Sequence, residues 1–226
     1  MANGDARVLE AQILPVPEAA RTPRVETFTG ALLVAVRATA VTLLLTGLLY
    51  PIAVTGIAQL LFRGRASGSM VRDERGSVVG SELLAQGFAG PAYFQPRPSA
   101  AGDKGFDAAS SGGSNLGPTS KKLRERAAAD LARLRRENPD AHGPVPVELL
   151  TTSGSGLDPH LSPGGALWQA PRVARARGLD PARVEAVVRA NVEPRDLGFL
   201  GEPRVNVLLL NLALDRQFGR PAVPAK

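Results

Sequence analysis

From Ala38 to Phe62 the chain reads ATAVTLLLTGLLYPIAVTGIAQLLF, a block whose only ionisable side chain is Tyr50, neutral near pH 7. At about 1.5 Å per residue such a helix runs about 37 Å, longer than a hydrocarbon core of about 30 Å. The block predicts a single-pass membrane protein with a transmembrane helix over residues 31–62. Arg37 near its start and Arg63 and Arg65 after its end stand where long cationic side chains reach the head groups. A cleaved signal peptide fits poorly, because its apolar region runs about 7–15 residues. A buried helix of a soluble core would need apolar surroundings on all sides, which the polar chain beyond it does not offer. The mean hydropathy of −0.02 is therefore an average over two solvents, lipid and water.

Within the block, Pro51 removes a backbone donor and predicts a kink, with Thr46 or Thr55 placed to serve a freed carbonyl. Gly47 and Gly56 are small residues that let a partner helix approach closely, so Gly47, Pro51 and Gly56 are read as a helix-packing set. Lys and Arg are balanced across the span, so the positive-inside rule does not choose an orientation.

The rest of the chain is polar and divides in two. Residues 1–30 hold Pro15, Pro17 and Pro23 and no helical or strand period, and read as a disordered tail. Residues 63–226 are enough to bury a core of their own. The absence of cysteine removes disulfides, thiolate nucleophiles and cysteine metal sites, and two histidines leave little for a histidine cage, so no metal is expected.

Short strands are predicted at Met70–Val71 and Ser77–Val79. An arginine-rich helix follows from a Thr119 or Ser120 cap to about Glu137, with Leu123, Ala127, Leu131 and Leu134 on one face. Ser162-Pro163 and Asp180-Pro181 start two more helices, ending at Arg177 before Gly178 and near Asn191. Val145–Thr151 reads as a strand. So does the leucine-rich run from Leu208 to Leu214. The mixture predicts one α/β (or α+β) domain.

Three motifs bear on chemistry. Gly112–Gly117 has the glycine spacing of a phosphate loop but continues Pro118-Thr119 instead of Lys-Ser/Thr, so a structured loop with the Asn115 side chain bonded to the backbone is preferred. Ser153, Ser155, Asp158 and His160 supply the residue types of a hydrolytic triad, crowded into one loop and without a nucleophile elbow. The basic helix and the run Arg172–Arg177 lack the aromatics and module of a nucleic-acid binder. Solvated faces, or contact with membrane lipid and acidic subunit surfaces, explain them better.

Seven strings then align in order with one family. GLLYPIAVTGIAQLLF in the span, G80SELLAQGF88, Y93FQPRPSA100, S111GGSNLGPTS120, S153GSGLDPHLSP163, R172VARARGL179 and G201EPRVNVLLLNLALD215 resemble the KdpC family, the C subunits of Kdp potassium-transporting P-type ATPases. The most specific are FQPRPSA, SGGSNLGPT and SGSGLDPH. Phe106 stands where a Tyr is expected and Trp168 where Tyr or Phe is common, and both keep an aromatic. The tail before residue 30 is longer than usual for the family, which suggests a lineage extension or a downstream start.

The resemblance implies an accessory subunit in a bacterial inner membrane, with a cytoplasmic N-terminus and an extracytoplasmic main domain. Its partners would be a channel-like subunit that selects potassium and a P-type pump subunit that hydrolyses ATP. The family is described as a catalytic chaperone raising the ATP affinity of the pump subunit, which makes ATP an implied ligand and Ser153, Ser155, Asp158 and His160 possible nucleotide or partner contacts. Arg97, Pro98, Ser99, Ser114 and Asn115 form the family-motif loops. The rival reading is a membrane-anchored extracytoplasmic hydrolase centred on Ser155, Asp158 and His160.

Overall fold

The structure is a computed structural model that describes residues 27–73 and 75–221. The predicted tail lies outside the described residues as far as position 26. Its last residues instead start a helix: the Thr27 hydroxyl accepts the Gly30 N–H at 3.2 Å and α1 (Phe28–Thr42) follows. A π-helical stretch (Leu43–Leu49) and α2 (Tyr50–Leu61) continue it, and Phe28–Leu61 is long and apolar enough to cross a membrane, with none of its most apolar window buried.

The predicted irregularity at Pro51 takes the form of a widened turn. Tyr50 N–H reaches the carbonyl of Leu45, five residues back, and the Thr46 hydroxyl donates to the carbonyl of Thr42 at 2.7 Å. Thr42 is nine residues before Pro51, so this bond does not serve the carbonyl of Gly47 or Thr46 that the missing Pro51 N–H leaves free, and Thr55 makes no side-chain bond among the described residues; the expected compensation is not seen. Gly47 and Gly56 are nine positions apart, about 2.5 α-helical turns, so they fall on roughly opposite sides of the rod and do not form one small-residue face.

Among the described residues, those up to Ala58 and those from Gln59 onward form separate compact units. In the second, a one-turn helix α3 (Arg63–Ala66) leads to a hairpin of β1 (Met70–Arg72) and β2 (Val78–Ser81), where the Asp73 carboxylate accepts the N–H groups of Arg75 and Ser77. Next comes α4 (Lys121–Glu137), capped by Ser120, whose hydroxyl accepts Leu123 N–H. A three-stranded sheet is built from β3 (His160–Leu161), the central β5 (Arg204–Asn206) and β4 (Val192–Glu193), all antiparallel. Between β3 and β4 the chain forms α5 (Pro163–Arg177) and α6 (Pro181–Ala190), and α7 (Val207–Phe218) follows β5. Entirely antiparallel pairing makes the domain α+β, the second of the two classes left open. Phe94, Leu161, Val173, Val184, Leu210 and Leu214 are at the centre of its core.

Two predicted strands are helical. Val145–Thr151 holds a 3₁₀ turn over Val147–Leu149, because Pro144 and Pro146 remove ladder donors at alternate positions. The leucine run is α7: Asn206 caps it through the Leu209 N–H, and Val207, Leu208, Leu210, Asn211 and Leu214 are buried on one helical face. A run apolar on both alternating sets satisfies either period. A buried asparagine at the helical i+4 position is what distinguishes them.

Candidate functional site

The motif Y93FQPRPSA100 has no regular secondary structure, and its start is held by side chains instead of by a neighbouring strand. Asn211 on α7 accepts the Phe94 N–H at 2.9 Å and donates to the Phe94 carbonyl at 3.0 Å. One residue on, Gln169 of α5 makes the same pair of bonds to Gln95, both at 3.0 Å. Phe94, fully buried between these clamps, anchors the segment in the core. Each amide replaces a full rung of a β-ladder, which leaves no buried backbone group of either residue unpaired.

Two arginines of the run Arg172–Arg177 complete the brace, so the expectation of a solvated basic face is corrected here. Arg172 is 5% exposed and donates to the carbonyls of Pro91 and Tyr93, to Asn138 and to Gln169. Burial pushes its guanidinium down to about 10, so it remains a cation at neutral pH. Arg177 donates to the Ala92 carbonyl, pairs with Asp215 at 2.8 Å and lies over the Tyr93 ring. The Tyr93 hydroxyl donates to the other Asp215 oxygen at 3.0 Å, and burial with that carboxylate beside it raises the phenol above its usual range. Arg175, by contrast, is exposed and pairs with Asp140.

The three specific strings then close on one another. Arg97 donates to Asp158 at 3.1 Å and to the Thr152 carbonyl, while the Ser99 hydroxyl donates to the Gly156 carbonyl at 2.6 Å and accepts the N–H groups of Ala101 and Phe106. Gly112 N–H and the Ser111 hydroxyl both donate to the Ser155 carbonyl. Backbones approach too closely here for side chains: a Cβ on Gly113 would stand 3.1 Å from the Gly154 carbonyl. Gly113 of the phosphate-loop-like string therefore serves loop-to-loop packing, and the Gly112 N–H is already occupied.

Among the triad candidates, the Ser153 and Ser155 hydroxyls lie 3.4 Å from each other and Ser155 accepts the Leu157 N–H. No serine-to-histidine hydrogen bond forms among the described residues. Asp158 is a turn residue whose carboxylate accepts the His160 N–H. The His160 imidazole 3.7 Å away, that N–H and the Arg97 guanidinium together outweigh burial and hold its carboxyl below the usual range. A depressed folded-state value means stability present above the ordinary carboxylate pKa and lost as pH falls through the folded one. Asp158→Asn is thus expected to flatten the acid limb of a stability–pH curve, below about pH 4, as read by urea midpoints. An unchanged acid limb would show that the pair contributes nothing.

Ser114 is half-buried, and Asn115 is exposed in a left-handed conformation, φ 50°. Its side chain makes no hydrogen bond to the backbone among the described residues, so the expected Asn115 bond is replaced by backbone tolerance of that region alone. Pro98, Gln95, Arg97, Arg133, Glu137 and Arg172 are among the residues lining a cavity of about 540 Å³. Gln169, Asn211, Arg177 and Asp215, which the sequence reading missed, are polar letters inside helices, with no spacing that marks them as clamps.

Residues 32–216 match the family described as KdpC, the c chain of a K⁺-transporting ATPase. The chain belongs to the KdpC family. Among curated relatives, the potassium-transporting ATPase KdpC subunit of Myxococcus xanthus is 71% identical over 187 residues, covering 83% of this chain and 88% of its own. That of Rhodospirillum rubrum is 56% identical over 175 residues, covering 77% and 90%. That of Koribacter versatilis is 50% identical over 185 residues, covering 81% and 93%. The KdpC match takes in the loops whose polar groups and glycines brace one another and most of the helix that is long enough to span a membrane.

Proposed function

We propose that this chain is an accessory, non-pumping subunit of an ATP-driven potassium uptake complex, anchored by Phe28–Leu61 and carrying its α+β domain on the extracytoplasmic side. The observation that carries the reading is the use made of the motif residues. Asn211, Gln169, Arg172 and Ser99 spend their hydrogen bonds on shaping loops, and Ser153, Ser155 and Asp158 on bracing turns, an arrangement suited to presenting a surface and not to turnover. Potassium selection and ATP hydrolysis belong to partner subunits, a channel-like one and a P-type pump. The effect on ATP affinity ascribed to a catalytic chaperone is exerted through assembly with the pump subunit, and direct contact of ATP with Ser153, Ser155, Asp158 or His160 is not required for it.

The spanning helix would supply part of the assembly contact. A Cβ added at Gly47 or Gly56 meets nothing within 4 Å among the described residues, and both positions are exposed, so leucine there is a probe of partners. Gly47→Leu and Gly56→Leu, made singly, are each expected to lower recovery of the other subunits in detergent co-purification about tenfold, the equivalent of about 1.4 kcal/mol. Full recovery with both variants would refute helix packing through these positions. Alanine at Ser155, Asp158 and His160 together should leave no deficit in an isolated-chain hydrolase assay, whereas the hydrolase reading requires an activity that this variant loses.

Sidedness has a direct test because the chain contains no cysteine. Val147 is 72% exposed, and Val147→Cys in cells stripped of their outer barrier should react with a membrane-impermeant maleimide before lysis. Reaction only after lysis would place the domain in the cytoplasm.

A further inference from the structure

The turn at residues 195–202 puts apolar side chains where water is. Leu197 is 83% exposed, Phe199 69% and Leu200 48%, side by side at the tip. An isolated exposed leucine needs no explanation, but three large apolar side chains within four residues do. The tip is also preformed. Asp196 and Leu200 exchange both backbone hydrogen bonds at 2.9 Å, and Leu197 holds a left-handed φ of 53°, a conformation that costs a branched side chain energy and that the neighbouring Gly198 and Gly201 also adopt. Ion pairs fasten its base: Arg195 to Glu202 at 2.6 Å, and Arg204 to Glu193 and Asp196 at 2.9 and 3.3 Å.

We propose that this turn is a docking prong that seats Leu197, Phe199 and Leu200 in an apolar crevice of another protein subunit of the ATPase, with cationic side chains at the crevice rim. The inference rests on the subunit reading given above. Charge selects protein over lipid. Around the tip two guanidiniums face three carboxylates, both guanidiniums are already paired, and the side chains of Asp196 and Glu202 are 66% and 78% exposed. Anionic head groups would meet those carboxylates, whereas a membrane-surface anchor places unpaired Lys or Arg beside its apolar residues. A rigid tip also loses little conformational freedom on seating, which favours a shaped protein pocket.

The test uses the full chain in the assembled complex, with a benzophenone amino acid replacing Phe199. Irradiation is expected to join it to another subunit. An adduct with lipid, with a second copy of this chain, or none at all overturns the proposal. A second variant, Leu197→Asn with Phe199→Ser, keeps the left-handed position comfortable and removes the apolar tip; recovery of partner subunits is expected to fall about thirtyfold, the weight of a buried aromatic anchor. Unchanged recovery overturns the prong, and if this variant fails to fold, the benzophenone result alone decides. Should the unmodified chain fail to co-purify with ATPase subunits, the subunit reading fails and takes the prong with it; if it co-purifies while position 199 stays silent, only the prong is lost.

Discussion

Gly156→Ala is expected to lower the stability of the α+β domain by about 3–4 kcal/mol, a large share of the 5–15 kcal/mol that holds a typical domain together. Gly156 holds φ 67°, and a Cβ there would stand 2.6 Å from the Gly112 carbonyl oxygen and 2.8 Å from the Ala101 nitrogen. Both obstacles are backbone, so neither can rotate away. Relief requires the FQPRPSA, SGGSNLG and SGSGLDPH strings to separate, breaking the Ser99 to Gly156 and Gly112 to Ser155 bonds on the way. Gly154, two residues earlier, is the control: a Cβ there meets nothing within 4 Å and its φ is not left-handed, so Gly154→Ala should be close to neutral. Urea unfolding of the full chain in detergent, followed by the fluorescence of Trp168, reads both. Equal midpoints for the two variants would show that the loops give way more easily than their close approach implies.

Arg172→Met is expected to cost about 3–5 kcal/mol, because several buried neutral acceptors lose a charged donor at about 1–3 kcal/mol each, offset in part by the desolvation of the cation. The methionine fills much of the volume but leaves the carbonyls of Pro91 and Tyr93 and the amide oxygens of Asn138 and Gln169 short of a donor. Gln169 is itself one of the two clamps on the motif segment, so the loss spreads to Gln95. Arg172→Lys should recover only part of the deficit, because an ammonium lacks the planar fork that reaches four acceptors at once. The sign of the pH dependence follows from the depressed pKa. Between about 10 and the ordinary guanidinium range the unfolded chain binds more protons, so wild-type stability gains there as pH rises. Below that window both states are charged and the Met variant's deficit stays constant through the neutral range. A deficit that shrinks markedly around neutrality would contradict a permanently charged, buried Arg172.

Much of the domain was legible because local signals agreed. Ser162 with Pro163 and Gly178 fixed α5, Asp180 with Pro181 fixed the start of α6, and Ser120 capped α4, since a cap is a bond between neighbours in sequence. The failures share another cause. Val207–Phe218 is apolar on too many sides for periodicity to distinguish strand from helix, and the choice belongs to the core that buries Asn211. The candidate site was half visible: the strings that make the family recognisable were read as loops, but not the partners that hold them. Asn211, Gln169, Arg172 and Arg177 lie tens of residues from the backbone they clamp, and no local rule connects them.

By itself, then, the sequence determined which block is long and apolar enough to cross a membrane, and the family. An uncharged block of about 37 Å at about 1.5 Å per residue has no stable place in water outside a large core. Tertiary structure alone decided what the arginines and amides are for. Burial turns Arg172 from a presumed surface charge into the donor that braces the Pro91–Tyr93 turn, because a buried carbonyl must find a partner wherever the fold brings one. It also left Leu197, Phe199 and Leu200 outside that core, where an apolar side chain gains only by being covered.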